Sequence, residues 1–187
     1  MRAFLAVSVA DPGLDASFAA QGVRLPEGEL RWVPAGHRHL TLRFFDELPE
    51  DRVEDVRAAA GTAAADVSRF EVELAGVGCF PPRGPAKVLW IGCGAGREEL
   101  LALASAVSRA LESRGFPADP RPFSPHLTLA RARNRGGSSA VAAAVRGTAI
   151  HEGTLGRVPV DRLLLIRSTL GSGPPRHDVL GTFPLAV

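Results

Sequence analysis

"HRHLTLRFF", from His37 to Phe45, and "FSPHLTLARAR", from Phe123 to Arg133, carry the same tetrapeptide, His-Leu-Thr-Leu, once in each half of the chain. Both alternate polar and apolar residues, the pattern of a half-buried β-strand. Side chains at i and i+2 of a strand share a face. His39 and Thr41 therefore project together with Leu40 and Leu42 packed behind them, and His126 and Thr128 do the same in front of Leu127 and Leu129. Two of only five histidines stand at these positions. A structural duplication and a paired active site are the two explanations.

Working outward, strands and helices interleave, which predicts an α/β or α+β domain. "RAFLAVSV" reads as a first buried strand closed by Asp11-Pro12-Gly13, in preference to a signal peptide, because its apolar run is short. Asp15 to Gln21 is a short helix candidate. Pro49, Glu50 and Asp51 suit a helix N-terminus, and Val53, Val56 and Ala60 give that helix one face. "RFEVELAGV" alternates as a strand, and "PPRGP" turns the chain into "AKVLWIGC", apolar on both faces and so a central strand with Trp90 in the core. The clearest helix runs from about Arg97 to Arg114, with a stripe of Leu100, Leu103, Ala104, Val107 and Leu111 and a stop at Gly115. "RARNRGG" reads as a mobile basic loop before an Ala-rich helix starting near Ser138. "VDRLLLIRSTL" and "HDVLGTFPLAV" read as closing strands. No linker separates the halves, so residues 1–187 are expected to form one domain of two similar lobes.

The composition narrows the class. At 187 residues and 45% hydrophobic content the chain can bury a substantial core, and no stretch approaches the roughly 20 apolar residues that span a bilayer. Cys79 and Cys93 lack C-x-x-C spacing, which argues against a disulfide framework or zinc knuckle and for a reducing cytoplasm. The net charge is only +2, although every cation but Lys87 is Arg. A monomer is the expected state.

If the two lobes set their His-Thr strands side by side, two imidazoles flank one bound atom with two hydroxyls between them. In-line phosphodiester displacement needs such a set: one near-neutral imidazole takes a proton from water and the other gives a proton to the departing alkoxide. Hydroxyls and arginines then stabilise the charge on the phosphate. This chemistry requires no metal, and a bell-shaped pH profile is expected from it.

The two H-L-T-L tetrapeptides resemble the paired H-x-T-x motifs of the 2H phosphoesterase superfamily. The whole chain is similar to bacterial RNA 2′,3′-cyclic phosphodiesterases, the LigT-like group formerly called 2′-5′ RNA ligases, through "RAFLAVSV", "HLTLRFFDEL", "GVGCFPPRGPAKVLWIGC", "RPFSPHLTLAR" and "LLLIRSTLGSGPPRHDVL". The resemblance implies an α+β, bilobal fold of two pseudo-symmetric lobes, each an antiparallel sheet with flanking helices, and a cleft between them. It also implies hydrolysis of a 2′,3′-cyclic phosphate to a 2′-phosphate without a cofactor. His39 would donate the proton to the leaving 3′ oxygen, His126 would accept the proton of water, and Thr41, Thr128 and Arg131 would hold the phosphate. Two departures stand out: "FFDEL" replaces the usual Phe-Leu-Gly-Glu, and His177 occupies a position where an aromatic residue is common.

Strand parity conflicts with one of these assignments. Arg131 lies five residues after His126, on the opposite face unless a bulge follows Thr128. Arg43 shares the face of His39 and Thr41 by parity alone and is the fallback phosphate ligand. Phe80, beside the "PPRGP" turn, is a base-stacking candidate. His37 and His39 form His-x-His without an evident third ligand, so no metal is expected there. His151 and His177 read as loop or surface residues, and Arg133 and Arg135 as either RNA-backbone contacts or loop solubility. The expected partner is RNA with a cyclic phosphate end, or a small cyclic nucleotide. Joining ends through a 2′-5′ linkage and binding RNA without turnover are the alternatives.

Overall fold

The computed structural model describes residues 1–9, 13–14, 28–147, 153–171 and 175–187. Their strands are β1 (Ala3–Ser8), β2 (Leu30–Trp32), β3 (His39–Phe45), β4 (Phe70–Phe80), β5 (Val88–Cys93), β6 (Leu127–Ala132), β7 (Thr154–Val160), β8 (Arg162–Thr169) and β9 (Arg176–Pro184). The helices are α1 (Val53–Ala65), α2 (Arg97–Glu112) and α3 (Arg135–Gly147). The helix candidate at Asp15 to Gln21 and His151 lie outside the described residues.

This is an α+β fold built on one open nine-stranded sheet, in the order β7-β4-β5-β6-β3-β1-β8-β9, with β2 also paired to β6. The pairings between these strands are antiparallel throughout. The two His-Leu-Thr-Leu strands, β3 and β6, are neighbours at the centre of this order. Three strands lie beyond each of them, which gives the sheet its pseudo-symmetric halves. The halves do not divide the chain at its midpoint. From the C-terminal end, β8 pairs with β1 and β9 with β8, which completes the half that holds β3. The hairpin of β4 and β5 precedes β6 and joins its half. Strand β7 had no counterpart in the sequence reading.

Burial follows the expected patterns. In β1 Ala3 to Val7 are all buried, so this strand is covered on both faces. Ala3, Leu5 and Val7 belong to the main core, whereas Phe4 and Ala6 join Ile166, Phe44 and Leu164 in a smaller cluster on the other face. Helix α2 buries the predicted stripe of Leu100, Leu103, Ala104, Val107 and Leu111. Each leucine contributes about 1.5–3 kcal/mol by that burial. The helix packs on α1 and touches both β3 and β4, so one rigid element supports both halves behind the strands of interest. Its N-cap, Gly96, has φ +81°, and a Cβ there would run into the Glu71 carbonyl, so only glycine fits that approach.

Helix α3 corrects the reading of "RARNRGG" as a mobile loop. The helix begins at Arg135, with the Asn134 side chain accepting from the Gly137 N–H at 2.8 Å. Gly137 stands in its first turn because a Cβ there would run into the Glu29 backbone carbonyl. Low helix propensity is outweighed here by a close tertiary approach.

Candidate active site

Strands β3 and β6 share one residue pair, Leu40 with Leu127, both fully buried. Continuing that antiparallel register by one residue each way sets His39 opposite Thr128 and Thr41 opposite His126. Each histidine thus faces the threonine of the other strand across a local twofold. The ladder stops there, and β2 takes over pairing with β6 at Trp32 and Ala130. The resulting cavity of about 420 Å³ is lined by His39, Thr41, His126, Thr128 and Arg131.

The two imidazoles are held alike. His39 Nδ1 lies 2.7 Å from the His37 carbonyl oxygen, and His126 Nδ1 lies 2.7 Å from that of Ser124. A carbonyl only accepts, so each Nδ1 carries the proton and donates. In the neutral ring this leaves Nε2 as the free base. Burial pushes the His39 imidazole down to about 4; the His37 carbonyl opposes the shift, and the neighbouring His177, His37 and Arg131 add to it. Burial likewise lowers His126, with Arg131 contributing and the Ser124 carbonyl opposing. The expectation of a near-neutral group is therefore corrected for His39 in the free protein, and His126 is shifted in the same direction. An anion between them reverses the balance, because a nearby negative charge favours imidazolium.

Two bulges decide which arginine reaches the cleft. On β6, Trp90 of β5 is paired with Thr128 and Leu89 with Ala130, so Leu129 is the extra residue. Leu129 and Ala130 are both buried, and Arg131 returns to the side of His126 and Thr128. On β3 the equivalent leucine is extra: Ala6 of β1 is paired with Thr41 and Leu5 with Arg43, skipping Leu42. Parity resets there too, and Phe44 lines the cavity at the position corresponding to Arg131. Arg43 as fallback phosphate ligand is thereby corrected. It turns into a neighbouring cavity of about 700 Å³, where it donates to the Pro117 carbonyl at 2.6 Å and lies 3.9 Å from Asp119.

Three aromatic rings occupy places the sequence did not indicate. His177 is a cleft residue on β9, not a surface one. Its ring centroid is 4.9 Å from that of His37, 5.5 Å from His39 and 5.2 Å from Phe4. Phe4 itself stacks on His39 at 4.5 Å. Trp90, expected in the core, is only half-buried: opposite Thr128, its ring lies beside His126 and Phe80 and over Gly78, where any Cβ would collide with the indole. Phe80 packs edge-on against His126 at 4.9 Å and lines the 700 Å³ cavity. Arg133 donates to the Leu30 carbonyl at 3.3 Å. Among the described residues, no group of three or more His, Cys, Asp or Glu side chains is placed to hold a metal ion.

A family model described as the 2′-5′ RNA ligase superfamily matches residues 14–171. The chain is 35% identical over 144 residues to the RNA 2′,3′-cyclic phosphodiesterase of Aeropyrum pernix, covering 76% of this chain and 78% of that protein. It is 32% identical over 191 residues to the enzyme of the same name from Thermus thermophilus, covering 99% and 90%. Among solved structures, TT0787 of Thermus thermophilus superposes with a TM-score of 0.78 at 30% identity, over 99% of this chain and 98% of that one. LigT of E. coli, solved with 3′-AMP, shares the fold at a TM-score of 0.73 and 23% identity, over 98% and 97%.

Proposed function

Because the chain belongs to the 2′-5′ RNA ligase superfamily, we propose that it hydrolyses RNA 2′,3′-cyclic phosphate ends to 2′-phosphates, with His39 and His126 as general acid and base. The reciprocal His-Thr placement at the Leu40–Leu127 crossing carries this reading. It supplies two proton-transfer groups and two hydroxyls around one position, and the named activity of the relatives has the same requirement.

The reaction proceeds as follows. His126, neutral with its Nδ1 proton on the Ser124 carbonyl, takes a proton from water through Nε2. The water oxygen bonds to phosphorus as the bond from phosphorus to the 3′ oxygen breaks. His39, charged once the anion is bound, gives its Nε2 proton to that oxygen. The products are a 3′-hydroxyl and a 2′-phosphate. Thr41 and Thr128 donate to the non-bridging oxygens, and Arg131 stabilises the charge that builds on them. The division of roles between the two histidines follows the family resemblance, since their hydrogen bonds are equivalent. No step passes through a metal or cofactor.

The test is hydrolysis, in EDTA, of an RNA oligonucleotide ending in a 2′,3′-cyclic phosphate, with the product's phosphate position identified. Turnover to a 2′-phosphate is expected. A folded protein that leaves the end intact, or yields the 3′-phosphate, contradicts the proposal.

A further inference from the structure

The active-site cavity holds a pair of like charges. Arg31 on β2 is the direct cross-strand partner of Arg131 on β6, and both line the cavity. Like charges directly opposite on neighbouring strands are destabilising. Among the described residues neither guanidinium has an ion pair or hydrogen bond. Several arginines elsewhere are matched to carboxylates: Arg43 and Arg121 share Asp119, Arg167 and Arg176 share Asp178, and Arg157 faces Glu73. The cavity lining at Arg31 and Arg131 contains no carboxylate among the described residues. Among the described residues, positive charge thus gathers on this side of the catalytic pair without a carboxylate, whereas the neighbouring cavity has Asp119 in its wall.

A cyclic phosphodiester carries one negative charge, so two guanidiniums exceed what the reacting phosphate requires. Arg131 comes back to the face of Thr128 through the bulge and serves the reacting phosphate. Arg31 faces Arg131 from the next strand in the same row, two paired rows beyond Thr128. Beside it Trp32, 44% exposed, lines the same cavity and offers a broad apolar ring. A second anion next to a flat group is what the preceding nucleotide of an RNA chain presents.

We propose that Arg31 binds the phosphodiester on the 5′ side of the cyclic end, with Trp32 stacking on the adjoining base, so that the site is built for an oligonucleotide end over a cyclic mononucleotide. This deepens, and rests on, the hydrolysis proposed above. A nucleoside 2′,3′-cyclic phosphate with a free 5′-hydroxyl lacks the recognised group; a dinucleotide ending in the same cyclic phosphate has it.

The experiment compares kcat/KM for these two substrates in the full chain and in Arg31→Ala, whose exposed position leaves the fold intact. The full chain is expected to prefer the dinucleotide by roughly tenfold or more, the worth of one charge-assisted contact. Arg31→Ala should abolish most of that preference, acting mainly on the dinucleotide. It should also flatten the plot of log(kcat/KM) against log salt for the dinucleotide by about 0.7, one phosphate contact on a single strand. Equal use of the two substrates by the full chain overturns the inference, as does an equal loss on both in Arg31→Ala. Either result leaves the proposed hydrolysis standing. Absence of turnover on both substrates by the full chain instead removes the hydrolysis and this inference with it.

Discussion

Changing the pH separates the free cleft from the occupied one, because burial holds both imidazoles uncharged until an anion arrives. In the free protein His39 titrates at about 4 and His126 below its ordinary 6.5. The competent form carries one proton between the two rings, and its population peaks at the mean of the two values. The kcat/KM profile, which reports free-enzyme groups, should therefore be a bell with its optimum no higher than about pH 5. Between pH 6.5 and 7.5 it should fall roughly tenfold, as expected for loss of one proton. In the complex the phosphate raises both rings by about 1–3 units, the usual effect of an opposite charge in contact. The kcat optimum should accordingly lie at least about one unit above that of kcat/KM. Initial rates from pH 4 to 9 at constant ionic strength in EDTA measure both profiles. A kcat/KM optimum at pH 7 or above, or a rate flat across pH 5–9, would refute the reasoning.

Other consequences can be checked by substitution. His39 binds its proton more weakly folded than unfolded, so its contribution to stability is complete above pH 6.5 and is lost as pH falls toward 4; about 3 kcal/mol is at stake. Urea titrations at pH 7 and pH 4 should show His39→Gln losing that much less than the parent, and parallel losses would contradict the shift. Gly78→Ala forces a methyl into the Trp90 ring and should cost about 1–3 kcal/mol by urea denaturation, with reduced turnover because Trp90 rests beside His126. Arg131→Ala should lower kcat/KM by about 10- to 100-fold through loss of a charged contact to phosphate. Arg43→Ala should instead cost about 1 kcal/mol of stability, from its bond to the Pro117 carbonyl, and leave catalysis nearly unchanged. An Arg43 defect as large as that of Arg131 would reverse the assignment.

Much of the site was legible because it rests on local periodicity. Alternation alone put His39 with Thr41 and His126 with Thr128, and buried Leu40, Leu42, Leu127 and Leu129. The α2 stripe was equally plain. What escaped is long-range. The bulges at Leu42 and Leu129 are register events between strands and leave no mark on either strand's own pattern. They set Phe44 and Arg131 on the cleft side and turned Arg43 away, where parity gave the reverse. Trp90 reads as core in an apolar strand, yet its place is fixed by Thr128 opposite and by the missing side chain of Gly78. His177 enters the cleft only because β8, by pairing with β1 far earlier in the chain, carries its neighbour β9 to the half that holds β3. A signal existed for that return: "LLLIRST" is too apolar for an edge strand, so it needed neighbours on both sides.

The division of labour between the two imidazoles is tested most directly with a substrate whose 3′ bridging oxygen is replaced by sulfur. A thiolate departs without being protonated, so the acid becomes dispensable while the base is still needed. With the oxygen substrate, His39→Ala and His126→Ala should each lose at least about 10²-fold in rate, the usual contribution of a positioned acid or base. With the sulfur substrate, His39→Ala should recover to near the parent rate and His126→Ala should not. Recovery of both variants, of neither, or of His126→Ala alone would contradict His39 as the acid and His126 as the base.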